Sequence, residues 1–116
     1  MSEEKKVKTV YISGKIGGIE DIAPELFLKA ENELKEKGYN VVNPMNIEHN
    51  HDKSWLSYMR NDIKALVDCD AIYMLDNWID SRGAKVELTI AYGLDLETLF
   101  ESEFEGKYVN FLNQIK

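Results

Sequence analysis

Cysteine is nearly absent. The single Cys69 excludes any intrachain disulfide and fits a reducing compartment. Proline is scarce as well: Pro24 and Pro44 are the only two, and no Pro/Gly/Ser-rich run reads as a linker between domains. No apolar stretch approaches the roughly 20 residues of a membrane span. Basic charge is in deficit, with 14 Lys and Arg against 21 Asp and Glu and a net charge of −7. Such a surface lacks the basic stripe that displaces counterions, which argues against a nucleic-acid binder. It does not argue against a phosphorylated small molecule, because a few local groups suffice to hold one phosphate. The start MSEEKKVKTV has no apolar stretch before its first strand-like run and does not read as a signal peptide. The expectation is a cytoplasmic protein with neither a membrane nor a nucleic acid as partner.

What is present suits one globular domain over residues 1–116: 44% of the chain is hydrophobic and 30% charged. Val7 to Ser13 (VKTVYIS) is β-branched and aromatic and reads as a strand. Pro24 suits the first turn of a helix whose Leu26, Phe27, Ala30 and Leu34 share a face, and Gly38 ends it. Tyr39 to Asn43 is a second short strand, and Asn46 to Lys53 a polar loop. Ser54 can cap a second helix running to about Val67; Asp70 to Leu75 is a third strand and Asp76 to Arg82 a loop. A third helix covers about Gly83 to Tyr92, Asp95 to Phe100 is a candidate fourth strand, and Tyr108, Phe111, Leu112 and Ile115 share one face of a last helix. This alternation implies an α/β fold with a short parallel sheet, order 2-1-3-4 with room for a fifth element, and helices on both faces. Ligands of such sheets bind beyond the carboxyl ends of the strands.

Three constellations lie at those ends. Ser13, Gly14, Lys15, Ile16, Gly17 and Gly18 follow the first strand directly. Glycine lets backbone N–H groups approach a ligand and Lys15 adds charge, but the pattern matches neither GxGxxG nor the P-loop and reads equally as a flexible turn. Asp62 falls between Met59 and Leu66 on the apolar stripe of the second helix, where a carboxylate costs free energy unless it is partnered or borders a cavity. Glu87 lies on the row Ala84–Glu87–Leu88–Ala91 of the third helix, too far in to be a capping-box residue after Ser81. A buried, hydrogen-bonded aspartate and an ordinary surface glutamate are the plain alternatives. Two inward carboxylates on consecutive helices point instead to glycosyl chemistry, with one nucleophile or base and one acid. His49, His51 and Asp52 crowd too closely to close a metal site and read as a solvated loop. Cys69 reads as a small core residue, and Trp55, Tyr58 and Trp78 as mostly core, with Trp78 able to stack on a base.

The segments VYISGKIGG, NPMN, WLSYMRNDIKALVDCDAIYML and SRGAKVELTIAYG, within residues 7 to 94, resemble the nucleoside 2-deoxyribosyltransferase-like superfamily, and its small phage and bacterial branch in particular. The resemblance implies a flavodoxin-like three-layer fold, a nucleoside or nucleotide ligand, no metal or organic cofactor, and an oligomer. It also implies that Glu87 attacks C1′, that Asp62 assists the departing base, that Tyr11 lies near the sugar and that the Gly14 to Gly18 loop lines the sugar or phosphate side. Six residues before the glutamate, the transferases carry aspartate and the related 5′-monophosphate hydrolases serine; here the residue is Ser81. The hydrolases' loop arginine is replaced by Gly17, with Lys15 nearby.

The expected activity is N-glycosidic bond cleavage or transfer on a nucleoside or its 5′-monophosphate, with a non-catalytic nucleotide-binding module as the alternative. Ser81, Arg82, Gly83 and Lys15 are expected to favour a phosphate, through a hydroxyl, the first N–H groups of a helix and two cations. The aromatic bulk of the second helix and the apolar face of the last predict a homodimer or larger assembly.

Overall fold

The computed structural model describes residues 7–102 and 105–115. Four strands, β1 (Thr9–Ser13), β2 (Asn40–Val42), β3 (Ala71–Met74) and β4 (Glu97–Phe100), form an all-parallel sheet of order β2-β1-β3-β4. Four helices accompany them: α1 (Ala23–Glu36), α2 (Trp55–Leu66), α3 (Arg82–Gly93) and α4 (Glu105–Ile115). The α/β alternation and the strand order agree with the sequence-based expectation. The candidate fourth strand is present, and no fifth strand lies among the described residues.

The two-residue period of β1 sorts the core. Val10 and Ile12 face α1, packing with Phe27, Ala30 and Leu34. Tyr11 faces the other way, into a cluster with Ile72, Met74, Leu66 and Leu88 beneath α2 and α3. Pro24 stands in the first turn of α1. Ser54 and Ser81 cap α2 and α3, their hydroxyl oxygens accepting from the backbone N–H of Ser57 at 3.2 Å and Ala84 at 3.1 Å.

Two local expectations need correction. The segment after β3 is not a plain loop: Asp76–Asp80 forms a 3₁₀ turn that buries Trp78. Its indole meets Phe111 of α4 edge-on, with ring centroids 5.5 Å apart, so it is a core residue unable to stack on a base. The apolar face of α4 is not left open for a partner either. Phe111 joins the core and Tyr108 lies against Phe100, ring centroids 5.0 Å apart. The exposed aromatic bulk is on α2, where Trp55 and Tyr58 are 40% and 38% exposed rather than core. Phe111→Ala should therefore cost about 3–5 kcal/mol in urea unfolding, the usual range for a buried Phe, with no change in the mass seen by light scattering.

Candidate active site

Glu87 is the centre of the site. The buried row of α3 is Ala84, Glu87, Leu88 and Ala91, so its one carboxylate is pressed against the sheet. Residues 11 and 13 alternate onto the same face of β1, and both bring a hydroxyl. Tyr11 Oη donates to Glu87 Oε2 at 2.7 Å, and Ser13 Oγ donates to Glu87 Oε1 at 2.6 Å. Glu87 is only 5% exposed. Burial pushes its carboxyl up to about 7; the hydroxyls of Ser13 and Tyr11 oppose that rise, and the charge of Asp62 adds to it.

Asp62 reaches the same region from α2, buried with Met59 and Leu66 as the helical stripe requires. Burial pushes its carboxyl up to about 7. Its Oδ1 is buried with no hydrogen-bond partner, and His49 Nε2 stands 3.7 Å from it. The two helices carrying these acids approach closely at Gly83, where a Cβ would stand 3.1 Å from Met59 Sδ.

Other candidates serve different purposes. Gly14 makes room for the protein itself: a Cβ there would meet Leu75 at 2.6 Å. Gly17 and Gly18 are exposed at the tip of the loop. The loop is tied down by Asn77, whose Oδ1 accepts from the Lys15 N–H at 2.9 Å. The Arg82 guanidinium covers the Trp55 ring at 4.1 Å. Lys15 and Arg82 nevertheless border one groove of about 660 Å³, with Lys85 and Asp80, on the side of α3 turned toward α4. Ser81 is spent as a cap through its oxygen and retains its proton for donation. Cys69 is buried, its thiol donating to Ala65 O at 3.3 Å, in keeping with a core role.

The segment before α2 departs from the solvated loop expected of it. Asp52 Oδ1 accepts from Ser54 N–H at 2.9 Å, beside the cap of α2. His49 and His51 turn inward against Tyr58, with ring centroids 4.6 and 4.7 Å from it. His49, Asn61 and Asn77 were not among the site residues expected from the sequence. The crowded His-Asn-His-Asp run is the one local signal, and its contact with Asp62 depends on a turn that no periodicity reports.

Residues 8–100 match the family described as a domain of unknown function (DUF4406). The chain belongs to that family. Its fold is similar to that of a 2-deoxyribosyltransferase from Bacillus psychrosaccharolyticus, with a TM-score of 0.61 and 21% identity over 79% of this chain and 70% of that one. That similarity supports the nucleoside 2-deoxyribosyltransferase-like, flavodoxin-like architecture. No curated protein matches the sequence. Among the described residues, no helix is long and apolar enough to cross a membrane.

Two acids held near 7 by burial have a measurable consequence. Their ordinary values are 4.5 for Glu87 and 3.8 for Asp62, so between those values and about 7 the folded protein binds more protons than the unfolded chain. Their contribution to stability is complete below the unfolded values and is lost as pH rises through about 7. Urea unfolding from about pH 5 to about pH 8 should show stability falling by roughly 3 kcal/mol per group, and the Glu87→Gln/Asp62→Asn double variant should flatten that slope.

Proposed function

We propose that this domain breaks the N-glycosidic bond of a nucleoside or nucleoside 5′-monophosphate, with Glu87 as nucleophile and Asp62 as acid. One observation carries the proposal: a buried glutamate gripped at both oxygens by Tyr11 and Ser13, beside a buried aspartate whose Oδ1 has no partner. Each hydroxyl occupies one lone pair of Glu87 and leaves others free for attack. An Oε of Glu87 bonds to C1′ as the bond from C1′ to the base nitrogen breaks, and the proton of Asp62 passes to the base. A water or a second base then displaces Glu87 from C1′, and the Asp62 carboxylate takes up the proton of the incoming nucleophile. The B. psychrosaccharolyticus protein is a 2-deoxyribosyltransferase, an enzyme of this chemical class, and the similarity of its fold supports the reading.

The test is chromatography of bases released from a panel of nucleosides and their 5′-monophosphates. Glu87→Ala should abolish release, since no other group replaces the nucleophile, and Asp62→Asn should slow it by about 10²-fold or more. Ligand binding without release by the wild-type chain would favour a holding module instead.

The cations Lys15, Arg82 and Lys85 border, with Asp80, a groove that neither Glu87 nor Asp62 lines, so a substrate's phosphate would reach out from the carboxylates to that groove. Two charge-assisted hydrogen bonds, each worth roughly 1.5–3 kcal/mol, give a 5′-monophosphate at least a tenfold advantage over its nucleoside. Calorimetry on one such pair checks this, and equal affinities would place the substrate among unphosphorylated nucleosides.

A further inference from the structure

We propose that His51 and His49 form a one-way chain of imidazole donors that presents an N–H to Asp62, making His49 the positioning residue of the acid. The direction follows from four contacts. The backbone N–H of Lys53 donates to His51 Nδ1 at 2.9 Å, so in neutral His51 the proton stands on Nε2. That Nε2 lies 2.8 Å from His49 Nδ1, which must then accept. Asn61 Nδ2 also reaches His49 Nδ1, at 3.3 Å, and its orientation is set by a second bond to the carbonyl of Glu48 at 3.4 Å. With the one lone pair of His49 Nδ1 taken by His51 Nε2–H, the proton of His49 stands on Nε2, and Nε2 faces Asp62 Oδ1 across 3.7 Å.

Asp62 Oδ1 is the buried acceptor without a partner, and His49 Nε2–H is the donor aimed at it. The gap exceeds a hydrogen bond by several tenths of an ångström. It closes when Asp62 becomes a carboxylate, at the moment its proton has gone to the departing base. The chain thus stabilises the product form of the acid. Burial, then His51 and Lys53, hold His49 below the usual histidine range, which keeps it neutral and a single-proton donor at neutral pH. The groups that face this chain are His51 and Lys53 on the loop, Tyr58, Asn61 and Asp62 on α2, and, beyond Asp62, Glu87 of α3 and Tyr11 of β1. Lys53 also donates through Nζ to the His49 carbonyl, and it holds φ at 64°, a left-handed conformation costly for a lysine, to turn the loop back on α2.

The role in base departure rests on the reaction proposed above; the chain itself does not, and the experiment separates the two. Long-range ¹H–¹⁵N spectra of the full wild-type chain at about pH 8 should show both histidines protonated on Nε2, whereas an Nδ1–H signal for His49 would overturn the proposal. Carboxyl ¹³C titration of Asp62 should place its midpoint about half a pH unit or more higher in His49→Leu than in wild type, because a donor to the charged form has been lost. His49→Gln, which keeps an N–H near the Nε2 position, should restore the wild-type midpoint. An unmoved midpoint in His49→Leu, or a Gln variant that behaves like the Leu variant, would also overturn it. Where base release is observed, His49→Leu should lower kcat by about tenfold with KM unchanged and move the basic limb of the pH profile upward. These spectra and midpoints, found in a chain that releases no base, would support the donor chain and reject the glycosidase reading.

Discussion

A carboxylate buried between a sheet and a helix is the constraint around which this fold is arranged. Glu87 gives up nearly all contact with water, and an ionised group can do that only where donors replace the lost solvation. The two donors come from one strand. Tyr11 and Ser13 share a face because side chains alternate along β1, and β1 is held by pairing with β3, Tyr11 against Ile72 and Ser13 against Met74. The Ser81 cap starts α3 where Glu87 meets those hydroxyls, and the small residues Ala84 and Ala91 on the same row let the helix lie close to the sheet. Gly83 then admits Met59, which brings α2 and Asp62 alongside.

The two acids share an apolar setting and differ in their partners. Both are driven upward by burial, but Glu87 has hydroxyl donors on both oxygens while one oxygen of Asp62 has none. Donors favour the charged form, and their lack favours the protonated one. Two carboxyls in the same apolar setting thus differ in the donors that their surroundings supply.

Much of this is legible in the sequence. The β-branched runs, the helical stripes and the capping serines reported the alternation, and the right-handed crossover rule supplied the strand order. Glu87 and Asp62 stood out because charged residues on apolar stripes violate the pattern around them. Other features were not legible, for physical reasons. Gly14 looked like an opening for a ligand, yet Leu75 takes that space, because close approach in a parallel sheet is decided by a neighbour far along the chain. The α4 face looked free because Trp78, which it covers, sits in a 3₁₀ turn that carries no periodic signal. His49 looked solvated because its approach to Asp62 depends on a left-handed turn at a lysine.

The alternation of β1 also determines where this chain can change length. One residue added before Tyr11 within the strand, or removed there, would rotate Ile12 toward α3 and turn both hydroxyls to the α1 side, stranding Glu87 with no donor at all. At the loop tip, nothing stands within 4 Å of where a Gly17 side chain would begin. A change in length is accordingly absorbed at that tip and not a few residues earlier, so the boundary between rigid and permissive chain falls between Ser13 and Gly17.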